Sequence, residues 1–95
     1  MYVSIRRYRV TGNIAEASKV VHEDLIPALG KVPGFIAYYA IDAGHGAVAS
    51  VSVFEDAAGA EESNRKAAEV VGAKLSDLVE GPPEIIGGEV FAAES

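Results

Sequence analysis

An α+β domain with the element order βαββαβ is what this sequence predicts, and three observations predict it. Apolar strand patterns and long amphipathic helical patterns follow one another as strand, helix, strand, and then do so again within 95 residues. Turn chemistry falls between them, at Thr11-Gly12-Asn13, Pro33-Gly34, Ala43-Gly44-His45-Gly46 and Gly81-Pro82-Pro83. No composition break or linker interrupts residues 1–95, which leaves room for one domain.

The first strand is placed at Tyr2 to Val10, dense in β-branched and aromatic residues. Asn13 is suited to cap the helix that follows, because its side chain can accept from a free amide of the first turn. From Ile14 the residues Ala17, Val21, Leu25 and Ala28 recur at steps of three and four, the mark of one buried helical face. Pro27 lacks an amide donor and crowds the preceding turn, so a kink is expected around Asp24 to Pro27, with Gly30 as terminator. Strands at Phe35 to Asp42 and Val48 to Phe54 form a hairpin. Asp56 caps a second helix running to about Val79, with Ala60, Asn64, Ala67, Val71, Leu75 and Leu78 along one face. The last strand is placed at Glu84 to Ala92, where Gly87-Gly88 implies a bulge or a close backbone approach.

This order is the ferredoxin-like split βαβ arrangement, a four-stranded antiparallel sheet with both helices on one face. The other face should be wet and polar, yet Phe35 to Ile41 and Ala47 to Phe54 are mostly apolar on both parities. A second copy laid sheet to sheet is the simplest cover, so an obligate homodimer is expected. A chain this short has a thin core of its own, which points the same way.

Composition narrows the function classes. A formal charge of −6, with eight scattered basic residues, disfavours nucleic acid and anionic membranes, since phosphate binding needs clustered Lys and Arg. The absence of cysteine removes disulfides, thiolate nucleophiles and thiolate metal sites, and suits a reducing cytoplasm. No leader pattern and no apolar run near the roughly 20 residues of a membrane span is read, so a soluble cytoplasmic protein is expected. Two histidines without carboxylates at ligand spacing do not make a metal site.

Val3-Ser4-Ile5-Arg6-Arg7-Tyr8, Pro33-Gly34-Phe35 with Tyr38-Tyr39, and Val51-Ser52-Val53-Phe54-Glu55-Asp56 running into Ala60-Glu61-Glu62-Ser63-Asn64 carry a likeness. Over nearly the whole chain this succession resembles the antibiotic biosynthesis monooxygenase-like domains of the dimeric α/β-barrel superfamily. The resemblance implies a dimeric α/β barrel. It also implies kinship with cofactor-independent oxygenases of polycyclic phenols, with haem-degrading enzymes and with domains of no assigned reaction. Those enzymes are similar in using an Asn with a Trp, and the haem-degrading ones add a His on the second helix. Asn64 matches the Asn, but this chain has no Trp and its second helix no His, so haem degradation is disfavoured.

The residues themselves offer a short set of candidates. Asn64 interrupts an apolar stripe, so its amide must find a partner, either a strand hydroxyl such as Ser50 or Ser52 or a ligand oxygen. Arg6 and Arg7 point to opposite faces. Arg7 shares the parity of Val3 and Ile5, assigned to the helix side, and is the candidate anchor for an anionic or phenolate ligand, against a surface ion pair as the ordinary alternative. His22, at the margin of the first helix's buried face, is the candidate general base, although most such histidines are merely half-buried. Tyr38 and Tyr39 face opposite ways, one to the helix-side pocket and one to the dimer interface. With Ser52 and Arg7 they complete the candidate ligand contacts. His45 is expected to be solvated at the hairpin tip, and Glu61, Glu62, Glu69, Asp77 and Glu80 to form a solvated helix face.

The functional expectation is a cofactor-free monooxygenase acting on a small aromatic or phenolic compound, in which Asn64→Ala lowers turnover and leaves the fold unchanged. The alternative is a non-catalytic dimer that binds a small hydrophobic molecule or fills its pocket with its own side chains. Isomerase or degradative chemistry on small ring acids rests on fold analogy alone.

Overall fold

The computed structural model describes all 95 residues. Strand β1 (Tyr2–Arg9) is followed by helix α1 (Ile14–Val20), a π-helical turn (Val21–Leu25) and a short α2 (Ile26–Gly30). Strands β2 (Phe35–Gly44) and β3 (Ala47–Phe54) form the hairpin. Helix α3 (Ala57–Val70), a second π-helical turn (Val71–Leu75) and β4 (Glu84–Glu89) complete the chain. The sheet order is β2-β3-β1-β4 and every pairing is antiparallel. This is the expected α+β arrangement, with the helices packed on one face. No helix is long and apolar enough to cross a membrane.

Both helix starts follow from their caps: Asn13 Oδ1 accepts from the Ala15 amide at 2.8 Å, and Asp56 Oδ1 from the Gly59 amide at 3.0 Å. The break before Pro27 takes the form of a π turn rather than a simple kink. Pro27 brings no N–H to close an α-turn, and the widened turn Val21–Leu25 absorbs the missing bond. The second helix ends at Leu75 instead of running to Val79. Its chain is drawn off to the sheet, where Val79 bridges Val10, the Thr11 amide donates to Leu78 O and the Glu80 amide to Arg9 O. Strand β4 stops at Glu89 rather than Ala92, since beyond it only the Val90 amide bonds back, to Met1 O. Its register with β1 is continuous, so Gly87 marks a close approach and not a bulge. A Cβ there would sit 3.2 Å from Val3 O.

The core is thin. Only 14 residues are buried; five of these are polar and one is Gly59, which leaves eight buried hydrophobic side chains to hold the chain together. One cluster joins Leu25, Leu29 and Ala67 between the helices; another joins Val32, Phe54 and Ala60, with Phe35 set edge-on to Phe54 at 5.7 Å. Gly59 lets α3 approach Phe54. A Cβ added there would lie 2.7 Å from the Phe54 ring and 3.0 Å from Pro33 O. Gly59→Ala should therefore destabilise by about 1–3 kcal/mol, overpacking outweighing a helix-propensity gain of about 1 kcal/mol. Urea unfolding measures this, and an unchanged midpoint would show that the Phe54 ring can shift.

Candidate functional site

The sheet is inverted relative to expectation. Tyr2, Ser4, Arg6 and Tyr8 of β1, with Ser50, Ser52 and Phe54 of β3, lie on the helix side, while Val3, Ile5 and Arg7 lie on the open face. Arg7 is therefore not on the helix side, and the hollow it borders is a surface one shared with Glu80 and Glu84. Arg7 is exposed and pairs across the strands with Glu84, Nη1 to Oε1 at 2.9 Å. Hydrophobicity alone misassigned the parity, because the greasier side of β1 is the one the helices do not cover.

Arg6 takes the place expected of Arg7 and is only 1% exposed. Its Nη1 donates to Asn64 Oδ1 at 2.7 Å, and its Nη2 donates to Ser50 Oγ at 2.8 Å and Ser52 Oγ at 2.9 Å. Register explains the gathering: Arg6 faces Ser50, and Ser4 faces Ser52, so small hydroxyls surround the guanidinium. Ser4 Oγ also donates to Asn64 Oδ1 at 2.8 Å. Arginine can only donate, so the amide oxygen of Asn64 must face it, and the Nδ2 group is left without a protein partner. Asn64→Ala would strip a partner from both Arg6 and Ser4, so a stability cost is expected beside any effect on turnover.

A relay leads from this cluster to a cavity. Ser50, while accepting from Arg6, donates to Tyr38 Oη at 2.7 Å, which leaves the Tyr38 proton free to donate onward. Tyr38, Tyr8 and Ser50 provide the polar rim of a narrow, otherwise apolar hollow of about 50 Å3. Val21, Leu25, Val71 and Leu75, which bound the two π turns, all line it. A second hollow shares Tyr8 and Val71 with the first and reaches Arg6 and Asn64. Burial pushes the Tyr8 phenol above its ordinary range; the Arg6 guanidinium beside it pulls the other way, and Tyr38 adds to the rise.

The remaining candidates are dispersed. Ser52 holds Arg6, and Tyr39 lies on the open face, 60% exposed. His22 is exposed, its Nδ1 2.9 Å from Ser18 O, at the rim of a larger hollow adjoining the first. No hydrogen bond links His22 to the Arg6 cluster. His45, at a positive φ of 54°, is exposed at the hairpin tip. No group of three or more His, Asp or Glu side chains is placed to hold a metal ion.

Sequence reasoning missed Arg6, Ser4 and Tyr8. A signal was present: Ser4 and Arg6, Ser50 and Ser52 are spaced by two on strands that pair, so a polar patch shares one face with Asn64 above it.

No family profile and no curated protein matches the chain. Solved structures do match in shape. A protein of unknown function from Nitrosomonas europaea superposes with a TM-score of 0.80 at 23% identity, over 99% of this chain and 92% of its own. SnoaB, a cofactor-independent oxygenase from Streptomyces nogalater, gives 0.78 at 16% identity, over 97% and 94%. The monooxygenase of the gene ActVA-Orf6 from Streptomyces coelicolor, in complex with Nanaomycin D, gives 0.75 at 20% identity, over 99% and 90%. Likenesses at 16–23% identity establish architecture, and the architecture this chain adopts is that of the antibiotic biosynthesis monooxygenase-type domains.

Proposed function

We propose that this chain is a cofactor-independent monooxygenase-like domain that works as a homodimer on a small aromatic or phenolic compound. The observation that carries the reading is the apolar hollow with Tyr38 on its rim, whose proton is backed by Ser50 and the Arg6 guanidinium, while Asn64 lines the adjoining hollow with a free amide. Such donors stabilise negative charge developing on a substrate oxygen, and the apolar walls exclude water. Two neighbours of the same shape are described as oxygenases, one of them cofactor-independent. Dimerisation is supported by the open face, where Ile5, Val51, Tyr39 and Ile86 lie side by side with no cover.

Oxygen uptake with an anthrone-type substrate tests the enzymatic reading. Wild type should consume oxygen, and Tyr38→Phe should lower turnover by about 100-fold, the loss expected for one oxyanion donor. Equal turnover in Tyr38→Phe removes that hydroxyl from the chemistry.

A second reading, a non-catalytic binding domain, is favoured by one observation. Neither hollow at the Arg6 cluster is lined by a carboxylate or an imidazole that could serve as a base. Thermal stabilisation by phenols or quinones without any oxygen uptake would decide for it.

A further inference from the structure

Among the large apolar side chains Phe91 is the most exposed, at 99%. It follows the last strand at a fixed point, because the Val90 amide donates to Met1 O and pins the place where residues 91–95 leave the sheet. An aromatic ring left wholly in water forgoes the stabilisation that burial brings, so a seat for it is expected.

A hollow of about 350 Å3 lies at the opposite end of the open face. Ala47 and Ala49 line it beside Arg9 and Arg7, with Glu80 and Glu84 toward β4. The alanines leave the sheet surface low while the flanking chains stand above it. Glu84 holds Arg7, whereas Arg9 donates to the His45 carbonyl oxygen at 2.9 Å and joins no ion pair. A guanidinium lies favourably against an aromatic face, and its apolar stem covers the ring edge. The hollow therefore suits one aromatic side chain.

The chain cannot fill this seat with its own ring. Arg9 lies eight residues along the strand from Met1, about 26 Å at roughly 3.3 Å per residue. Phe91 is one residue past the anchor and Glu94 four, a reach of at most about 14 Å. A second copy can do what the chain itself cannot. Tyr39, Val51, Ile5 and Ile86 form a single apolar row across the open face. With Glu89 opposite Tyr2, Phe91 stands five residues from the level of Ile5 on one side, and Arg9 with Ala47 stands four on the other. A two-fold axis crossing the strands at that row brings each Phe91 within about one residue, roughly 3.3 Å, of the level of the other copy's hollow.

We infer that Phe91 of each copy seats in the other copy's hollow between Arg7 and Arg9, over Ala47 and Ala49. This rests on the homodimer of the proposed function and deepens it. It fixes the direction of the two-fold axis, across the strands, and gives the exposed ring its occupancy.

The chain has no cysteine, so paired substitutions can report the contact. Ala92→Cys with Ala47→Cys leaves Phe91 in place, and a bismaleimide spanning about 10 Å, one sheet-to-sheet spacing, should join two copies covalently. Within one copy the two positions are too far apart for it. Either substitution alone should give no covalent dimer. Phe91→Ala should raise the dissociation constant of the dimer at least tenfold in dilution light scattering, as for a buried aromatic anchor. Linkage by Ala92→Cys alone would mean that the two tails meet each other, and linkage by Ala47→Cys alone that the two hollows do; either overturns the inference and leaves the dimer standing. An unlinked double variant that is still dimeric, or an unchanged dissociation constant in Phe91→Ala, overturns it likewise. A monomeric wild type overturns both the inference and the dimer.

Discussion

Replacing Asn64 with aspartate is expected to stabilise the protein. The amide oxygen already lies 2.7 Å from Arg6 Nη1 and accepts from Ser4 at 2.8 Å, so a carboxylate can keep both bonds with little movement. It also gives the guanidinium a counter-charge. Hydrogen bonds to charged groups contribute roughly 1.5–3 kcal/mol against about 1 for neutral ones, so a gain of about 1–2 kcal/mol is expected at neutral pH. The sign of its pH dependence follows: beside a guanidinium the new carboxyl titrates below its unfolded value of about 3.9. The gain is therefore complete above that value and is lost as pH falls through the folded one. Asn64→Ala should instead lose about 1–3 kcal/mol, because it leaves two donors without a partner. Chemical denaturation measures the pair; a variant Asn64→Asp that is less stable would show that the charge of Arg6 is already balanced.

Ile5→Lys is expected to break the dimer while sparing the subunit's own packing. Ile5 sits between Val51 and Ile86 on the open face, and Tyr39 extends that row to the hairpin edge. Ile86 is 63% exposed and Tyr39 60% in the lone chain, while Phe91 just beyond β4 is 99% exposed. A lysine at the centre of a sheet-on-sheet contact faces its own copy across the two-fold axis, so like charges meet in a desolvated layer. Loss of about 4 kcal/mol, or about a thousandfold in dissociation constant, is the scale of a central interface residue. Light scattering at micromolar concentration should give twice 9.9 kDa for wild type and the monomer mass for the variant. Wild type at the monomer mass would mean that this face is wet and that the dimer does not form.

Architecture was legible in the sequence because each element carried its own signal: caps at Asn13 and Asp56, Gly-rich turns, and periodic apolar faces. Helix lengths were less so. Pro27 advertised a disturbance but not its form, and nothing local told that Val79 would leave the helix to bridge Val10. The site was half legible. Asn64 stood out as a polar break in an apolar stripe, but Ser50 and Ser52, the partners expected for it, hold Arg6 instead, and the serine it meets is Ser4. Arg6 escaped because parity was judged by greasiness, and that criterion fails when the open face is the more apolar of the two.

Both helices widen where they overlie the hollow, at Val21–Leu25 and Val71–Leu75. Such a turn holds one residue more than the regular spiral, so the register of everything after it is offset by about 100°. Chamber size in this scaffold is thus governed partly by chain length in the roof and not only by the bulk of the side chains lining it. Two members of such a lineage could hold molecules of different girth while sharing every wall residue.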